Sequence, residues 1–382
     1  MASLLSVADA LARVLEQAQP LPAENAPLTE CDGRVLAADV ASVPVTLAVI
    51  GEVAAGHPFE GEIGVGQAAR IFTGGVIPPG ADTIVIQENT ERDGARVIVK
   101  APSSKGRHIR RAGLDFTQGQ VLLPRGRKLN DRDLMLAAAM SHPTLPVHRR
   151  PKVAVLGTGD ELKAPGSALG PGEIIYSNGF ALMALARAEG ATLIDLGIVP
   201  DQVKATVAAV RRAQSAGADI LLTTGGASVG DYDLVQKGLA AEGLSLSFWR
   251  VALRPGRPMM NGRLGPMHVL GLPGNPVSAY VCAYLFLVPL IRRLAGHADV
   301  QPSPESAALG RALPENDERA DYLRATLSTG ADGTLLATPL DVQDSSMMAA
   351  LAKADCLVIR EPFAPAAPAG SRCLILRLTR PF

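Results

Sequence analysis

Residues 222–233 read Leu-Thr-Thr-Gly-Gly-Ala-Ser-Val-Gly-Asp-Tyr-Asp. The stretch begins as the end of an apolar strand, Asp219-Ile220-Leu221-Leu222. It turns into a loop holding Gly225, Gly226, Ser228 and Gly230, and ends on Asp231 and Asp233 where a helical pattern starts. Glycines tolerate positive φ and let backbone N–H groups close on an anion. A helix N-terminus behind them adds partial positive charge. The two carboxylates would repel a bare phosphate, so they make sense with a hard cation such as Mg2+ between them and it. The alternative is a Gly-rich turn capped by an Asp.

Outward from this loop, strands and helices alternate. Val153–Leu156, Thr192–Leu196, Asp219–Thr223, Leu246–Leu253 and His268–Leu272 read as strands. Asn178–Glu189, Asp201–Ser215 (Asp201 as candidate N-cap), Asp233–Glu242 and Pro276–Ala295 read as helices. This order implies an α/β domain with a parallel sheet over 151–298. The apolar run Val277–Ile291 carries Pro289 and reads as a buried helix rather than a membrane span. Upstream, 47–100 is a small all-β module, barrel-like, with runs Ala48–Ile50, Ala69–Phe72, Thr83–Ile86 and Val97–Val99 between Gly/Pro turns. Residues 1–46 hold an amphipathic helix Ser3–Gln19 and residues 101–150 a helix Asn130–Met140. After the linker Gln301–Pro304, residues 302–382 hold short strands at Arg319–Thr326, Thr334–Thr338, Leu357–Arg360 and Cys373–Leu378, a second β domain. The fold class is therefore multidomain α/β plus β.

Bulk composition narrows the function. The chain has 382 residues, 47% of them hydrophobic, enough for several packed domains. Lys plus Arg and Asp plus Glu each count 37, and aromatics are only 4%. That argues against a nucleic-acid binder or an anionic-membrane binder. Cys31, Cys282, Cys356 and Cys373 form no CxxC pair and read as reduced thiols of a cytoplasmic protein. The six histidines show no HxH or HExxH spacing. No secretion signal is evident at the N-terminus.

In parallel α/β domains ligands bind beyond the carboxyl ends of strands. Four unusual loops are expected there: Gly157-Thr158-Gly159-Asp160-Glu161, the 222–233 loop, Arg254-Pro255-Gly256-Arg257-Pro258, and Gly271-Leu272-Pro273-Gly274-Asn275-Pro276-Val277-Ser278. Asp160 and Glu161 suit a hard cation. Arg254 and Arg257 bracket a rigid turn and suit an oxyanion. Asn275 can read a ring edge or a hydroxyl, or be a turn residue. Ser177-Asn178 reads more simply as a cap pair. Neither G-x-G-x-x-G nor a P-loop occurs.

These loops, with Ser177-Asn178-Gly179, Gly51–Phe59, Ile71–Val85 and Arg107–Phe116, resemble the molybdopterin molybdenumtransferases, the family of the gephyrin C-terminal domain. The likeness runs over nearly the whole chain. It implies an enzyme of molybdenum cofactor synthesis that inserts molybdate into adenylylated molybdopterin with Mg2+ and releases AMP. It implies an elongated homodimer, with other pathway proteins as further partners. It also implies that residues 1–46 and 101–150 form a discontinuous linker and dimerisation domain. By the same resemblance Asp160, Glu161, Asp231 and Asp233 are the metal and catalytic cluster, joined by Asp115. Substrate contacts fall to Thr158, Gly159, Ser177, Asn178, Gly225, Gly226, Ser228, Gly230, Arg254, Pro255, Arg257, Pro258, Pro273, Gly274, Asn275 and Ser278. Arg110 and Asp115 come from the second copy, and Asp201 lies near the cleft or caps its helix.

Two departures stand out. Related sequences usually carry Lys where Arg254 and Arg257 stand. The family's Met-Asp-Gly-Tyr-Ala segment is missing between Arg34-Val35-Leu36-Ala37 and Val49-Ile50-Gly51-Glu52. Alternatives are therefore a molybdopterin-binding scaffold or carrier, or a related adenylyltransferase.

Overall fold

A computed structural model describes residues 45–101, 103–225 and 234–378. The chain divides into two units after Gln120, described in turn. The expected helix Ser3–Gln19 and the short turn-and-strand segment expected over Leu28–Val40 lie outside the described residues.

In the first unit, β1 (Val45–Val53) pairs in parallel with β2 (Gln67–Ile71) and antiparallel with β4 (Arg96–Val99), which pairs with β3 (Thr90–Asp93). The sheet order is β2-β1-β4-β3. The β3–β4 hairpin turns at Asp93-Gly94, where Gly94 has φ +59. That dipeptide is a strong hairpin signal, yet the sequence reading missed the strand before it. Thr83–Ile86, expected as a strand, is irregular; Ile84 bonds to the Arg107 carbonyl and the Ser103 hydroxyl, both in a loop. Gly51 is the seat of Phe59, since a Cβ there would stand 2.3 Å from its ring.

The second unit opens with α1 (Asp131–Ala139), closed at its N-terminus by a reciprocal pair of bonds between Asn130 and Asp133. The central sheet follows, in the order β10-β12-β13-β9-β5-β8. Its strands are β5 (Lys152–Thr158), β8 (Thr192–Val199), β9 (Ile220–Thr224), β10 (Ser245–Arg250), β12 (Pro258–Leu264) and β13 (Met267–Leu272). Its helices are α2 (Asn178–Ala188), α3 (Val203–Ser215), α4 (Leu234–Ala241), α5 (Pro276–Cys282) and α6 (Val288–Leu294). Two short strands, β6 (Leu162–Lys163) and β7 (Ile174–Ile175), pair beside the sheet.

Alternation along the buried strands builds two cores. Val153, Val155, Ile220, Leu222 and Leu272 face α2 and the α5–α6 helix. Ala154, Leu156, Leu221 and Val269 face α3 and α4. A sheet covered on both faces needs such unbroken apolar runs.

The five strands read from the sequence point the same way, as expected, but an unexpected sixth makes the sheet mixed. β13, β9, β5 and β8 run parallel, while β12 lies antiparallel to both β10 and β13. The extra strand begins at Pro258 and contains Asn261 and Gly262, so its residues read as loop. A Cβ at Gly262 would stand 2.7 Å from the Ser245 carbonyl, and this close approach lets β12 pair. Asp201 is not a helix cap: α3 starts from Gln202, with no side-chain cap.

The stretch Pro276–Leu294 is long and apolar enough to cross a membrane, and half of it is buried inside the fold. Its middle, Ala283–Leu287, takes a π-helical turn ahead of Pro289, which has no N–H for a regular helical bond. Cys282 on this helix is buried, and burial pushes its thiol up to about 12.

The C-terminal module closes into a barrel. β15 (Ala320–Thr329), β16 (Leu335–Pro339), β14 (Glu305–Leu309), β18 (Arg372–Arg377) and β17 (Cys356–Arg360) pair in that order, and β17 returns to β15. β14 was not read from the sequence. β11 (Leu253–Arg254), from the loop after β10, runs parallel beside β15. Leu357 and Leu376 of the barrel pack on Val277 and Val281 of α5.

Candidate functional site

β5, β9 and β13 are parallel, and β10 points the same way because two antiparallel pairings separate it from β13. The loops after all four strands therefore open on one edge.

Three of these loops meet backbone to backbone. Thr158, buried at the end of β5, donates its hydroxyl to the Thr224 carbonyl at 3.3 Å. Gly225 follows with φ +87, and a Cβ on it would stand 2.4 Å from the Thr158 carbonyl oxygen. Gly274 lies on its other side, its own Cβ position 3.9 Å from the Gly225 Cα. Only glycine fits at 225.

Side chains fasten this junction. Asn178, at the start of α2, donates its amide to the Gly274 carbonyl at 2.8 Å. Ser177 forms no side-chain cap, and its hydroxyl lies 3.3 Å from the Met348 sulfur. The expected cap pair is therefore not one; these residues tie α2 to neighbouring loops. Tyr176 runs beneath, its ring against Gly157 and Gly179, where a Cβ would stand 2.6 Å and 2.5 Å from its carbons. Burial pushes the Tyr176 phenol up, opposed by its hydrogen bond with Thr224. Sequence reasoning passed over Tyr176 although it adjoins the quoted Ser177-Asn178-Gly179.

Asp160 and Glu161 are exposed at the tip of the β5 loop. Asp160 accepts the Asp201 backbone N–H at 3.1 Å, which brings Asp201 to the acidic loop through its main chain. The Glu161 carboxylate lies over Gly159 (φ +148), 2.4 Å from where a Cβ would be. Among the described residues no three His, Cys, Asp or Glu converge as a metal site. Asp231 and Asp233, with Gly226, Ser228 and Gly230, lie outside the described residues. The two carboxylates present are hard oxygen donors, the type that Mg2+ takes.

The two arginines of the Arg254–Pro258 turn differ. Arg254 donates to Asp317 and Asn316, each at 2.9 Å, and to Asp321. Its guanidinium is thus engaged by the C-terminal barrel rather than left free for an oxyanion. Arg257 is exposed and has no side-chain partner among the described residues. Between Pro255 and Pro258, Gly256 (φ +123) sits against Cys282, which a Cβ would approach to 2.4 Å.

Asn275 precedes α5 without capping it and donates to the Ser345 hydroxyl at 2.8 Å. The loop carrying Ser345 is held by Arg324, buried in the barrel and bonded to Gln343 and to the Asp344 carbonyl. Pro273 and Ser278 are buried flanks of this turn. Asp317, Asp321 and Ser345 carried no sequence signal, because their partners are remote in the chain. Arg110 and Asp115 are exposed in the first unit. Beside Ser177 and Asn178 opens a largely apolar cleft of about 510 Å³, with Phe180, Tyr280 and Met348 in its walls.

Three family models match. The one described as "Probable molybdopterin binding domain" covers residues 154–293. "MoeA N-terminal region (domain I and II)" covers 43–141, and "MoeA C-terminal region (domain IV)" covers 306–378. A molybdopterin molybdenumtransferase of Haemophilus influenzae is 33% identical over 94% of this chain and 95% of its own length. One from Nostoc sp. is 40% identical over 68% of this chain, and the chain spans 60% of that protein. The solved molybdopterin biosynthesis moea protein from Pyrococcus horikosii superposes with a TM-score of 0.74 at 28% identity, covering 88% of this chain and 82% of that one.

Proposed function

This chain belongs to the molybdopterin molybdenumtransferase family of molybdenum cofactor biosynthesis, and from that premise we propose that it inserts molybdate into adenylylated molybdopterin with Mg2+ and releases AMP. The observation that carries this reading is the junction of Thr158, Gly225 and Gly274 beside Asp160 and Glu161 on one sheet edge.

Gly225 keeps side-chain bulk out of the junction, leaving backbone groups to face a phosphate. Asp160 and Glu161, with Asp231 and Asp233, would hold Mg2+, which when bound offsets charge on a phosphoanhydride. Arg257 supplies positive charge for the oxyanion, while Arg254 positions the turn through Asp317 and Asp321. Asn178 and Asn275 hold the Gly274 turn from two sides. The apolar cleft past Ser177 offers a wall for a ring of the substrate. The same reading takes the protein as a cytoplasmic homodimer in which Arg110 and Asp115 of a second copy complete the site. It also leaves room for partners from the same pathway.

One sequence observation favours a second reading, a molybdopterin-binding scaffold or carrier: the Met-Asp-Gly-Tyr-Ala segment is missing from the sequence. An assay of AMP release from adenylylated molybdopterin separates the two. Release that needs both Mg2+ and molybdate supports the transferase; tight binding of the substrate with no release supports the carrier.

A further inference from the structure

At the opposite, amino edge of the central sheet lies a cleft of about 840 Å³. Pro151, just before β5, and Gly190, just after α2, sit in its floor. Among the described residues it shares none with the carboxyl-edge site.

Its charge is unbalanced. Among the described residues Glu189 is the only acidic one in its lining, and Arg292 binds it at 3.0 and 3.1 Å. Arg127 is committed to Asp133 at 2.9 and 2.8 Å, and Arg149 to Asp219 through two bonds of 2.8 Å. That leaves Arg125, Lys128 and Arg150 with no carboxylate partner among the described residues, and His148 and His297 beside them. The chain as a whole carries equal numbers of acidic and basic residues, so this excess is local. Unpaired cations lining a concave wall repel one another unless an anion sits among them.

The walls are built rather than loose. The bidentate pairs fix the Arg127 and Arg149 segments. The His148 ring packs on Gly296, where a Cβ would stand 2.3 Å away. The Ala298 N–H closes onto the Gly126 carbonyl at 2.9 Å. Burial and the nearby Lys128 and Arg292 hold His297 below the usual imidazole range, in keeping with a positive surround.

We propose that this amino-edge cleft is a second anion site, one that binds a diphosphate-bearing small molecule through Arg125, Lys128 and Arg150. Guanidinium forks suit phosphate oxygens. Among the described residues the lining holds no Phe, Tyr or Trp to stack on nucleic-acid bases, and its concavity suits a compact ligand. The site does not depend on the reaction at the carboxyl edge.

Titration calorimetry of the full chain with inorganic pyrophosphate, without Mg2+, tests this. Saturable binding is expected, weakened about tenfold or more in the double variant Arg125→Ala/Arg150→Ala. Hydrogen exchange on the unmodified protein gives an independent reading, with protection expected in 121–130 and 145–151 when pyrophosphate is added. No binding at millimolar pyrophosphate, unchanged affinity in the double variant, or protection confined to the carboxyl-edge loops would overturn the proposal.

Discussion

Arg254 ion-pairs with Asp321 where β11 of the α/β domain runs beside β15 of the barrel. Asp321 is 5% exposed, and its second oxygen has no partner among the described residues. Removing the guanidinium would leave a buried carboxylate uncompensated. Arg254→Ala is expected to cost about 2–3 kcal/mol, toward the low end for breaking a buried pair because the arginine itself is partly exposed. Arg254→Lys should recover only part of this, since an ammonium cannot reproduce a fork spread over three acceptors. Thermal melts of both variants check it; equal melting temperatures for Arg254→Ala and the parent would contradict the positioning role.

Gly225 and Gly274 make a paired test of the loop junction. A methyl at 225 meets the Thr158 carbonyl and sits at φ +87, so Gly225→Ala is expected to cost about 3 kcal/mol or more and to abolish turnover. A methyl at 274 finds only an ordinary contact at 3.9 Å, so Gly274→Ala is expected to keep most of the stability. Equal melting temperatures for the two variants would sink the close-approach argument.

Tyr176→Phe keeps the ring between Gly157 and Gly179 and deletes the hydroxyl that bonds Thr224. A loss of about 1 kcal/mol is expected. Tyr176→Ala opens a cavity under the site and should cost about 3–5 kcal/mol. Denaturant melts of the pair separate hydroxyl from ring.

How much of this was legible in advance follows from range. The loops Gly157–Glu161, Arg254–Pro258 and Gly271–Ser278 announced themselves because glycine and proline in strand-end positions have a local cause. The packing of the sheet was legible in unbroken runs such as Val153–Leu156. β12 was not, because Pro258, Asn261 and Gly262 make it look like loop and its pairing comes from distant Ser245–Arg250. The commitments of Arg254 to Asp321 and of Asn275 to Ser345 were also hidden, since 67 and 70 residues separate the partners. The 222–233 loop remains the strongest sequence signal, although only Leu222 to Gly225 fall among the described residues.

Acid should destabilise the fold in a definite window. Arg319 beside Asp317 holds that carboxyl well down, to about 2. Arg149 does the same in direction for Asp219, and Arg127 for Asp133. A carboxylate depressed by folding binds its proton more readily in the unfolded chain. Its contribution is therefore complete above the unfolded value of about 4 and is lost as pH falls toward about 2. The melting temperature should be flat from about pH 7 to 5 and drop below about pH 4. Asp219→Asn should make that drop shallower; an unchanged slope would remove the Arg149–Asp219 pair from the account.

The acidic loop after β5 is expected to serve the reaction and not the fold. Glu161 is exposed, so Glu161→Gln should leave the melting temperature within about 2 °C of the parent. AMP release from adenylylated molybdopterin, measured with Mg2+ and molybdate present, is the most direct measurement. Turnover is expected to fall about a hundredfold or more in Glu161→Gln. Turnover equal to the parent's, in a variant that melts at the same temperature, would contradict it.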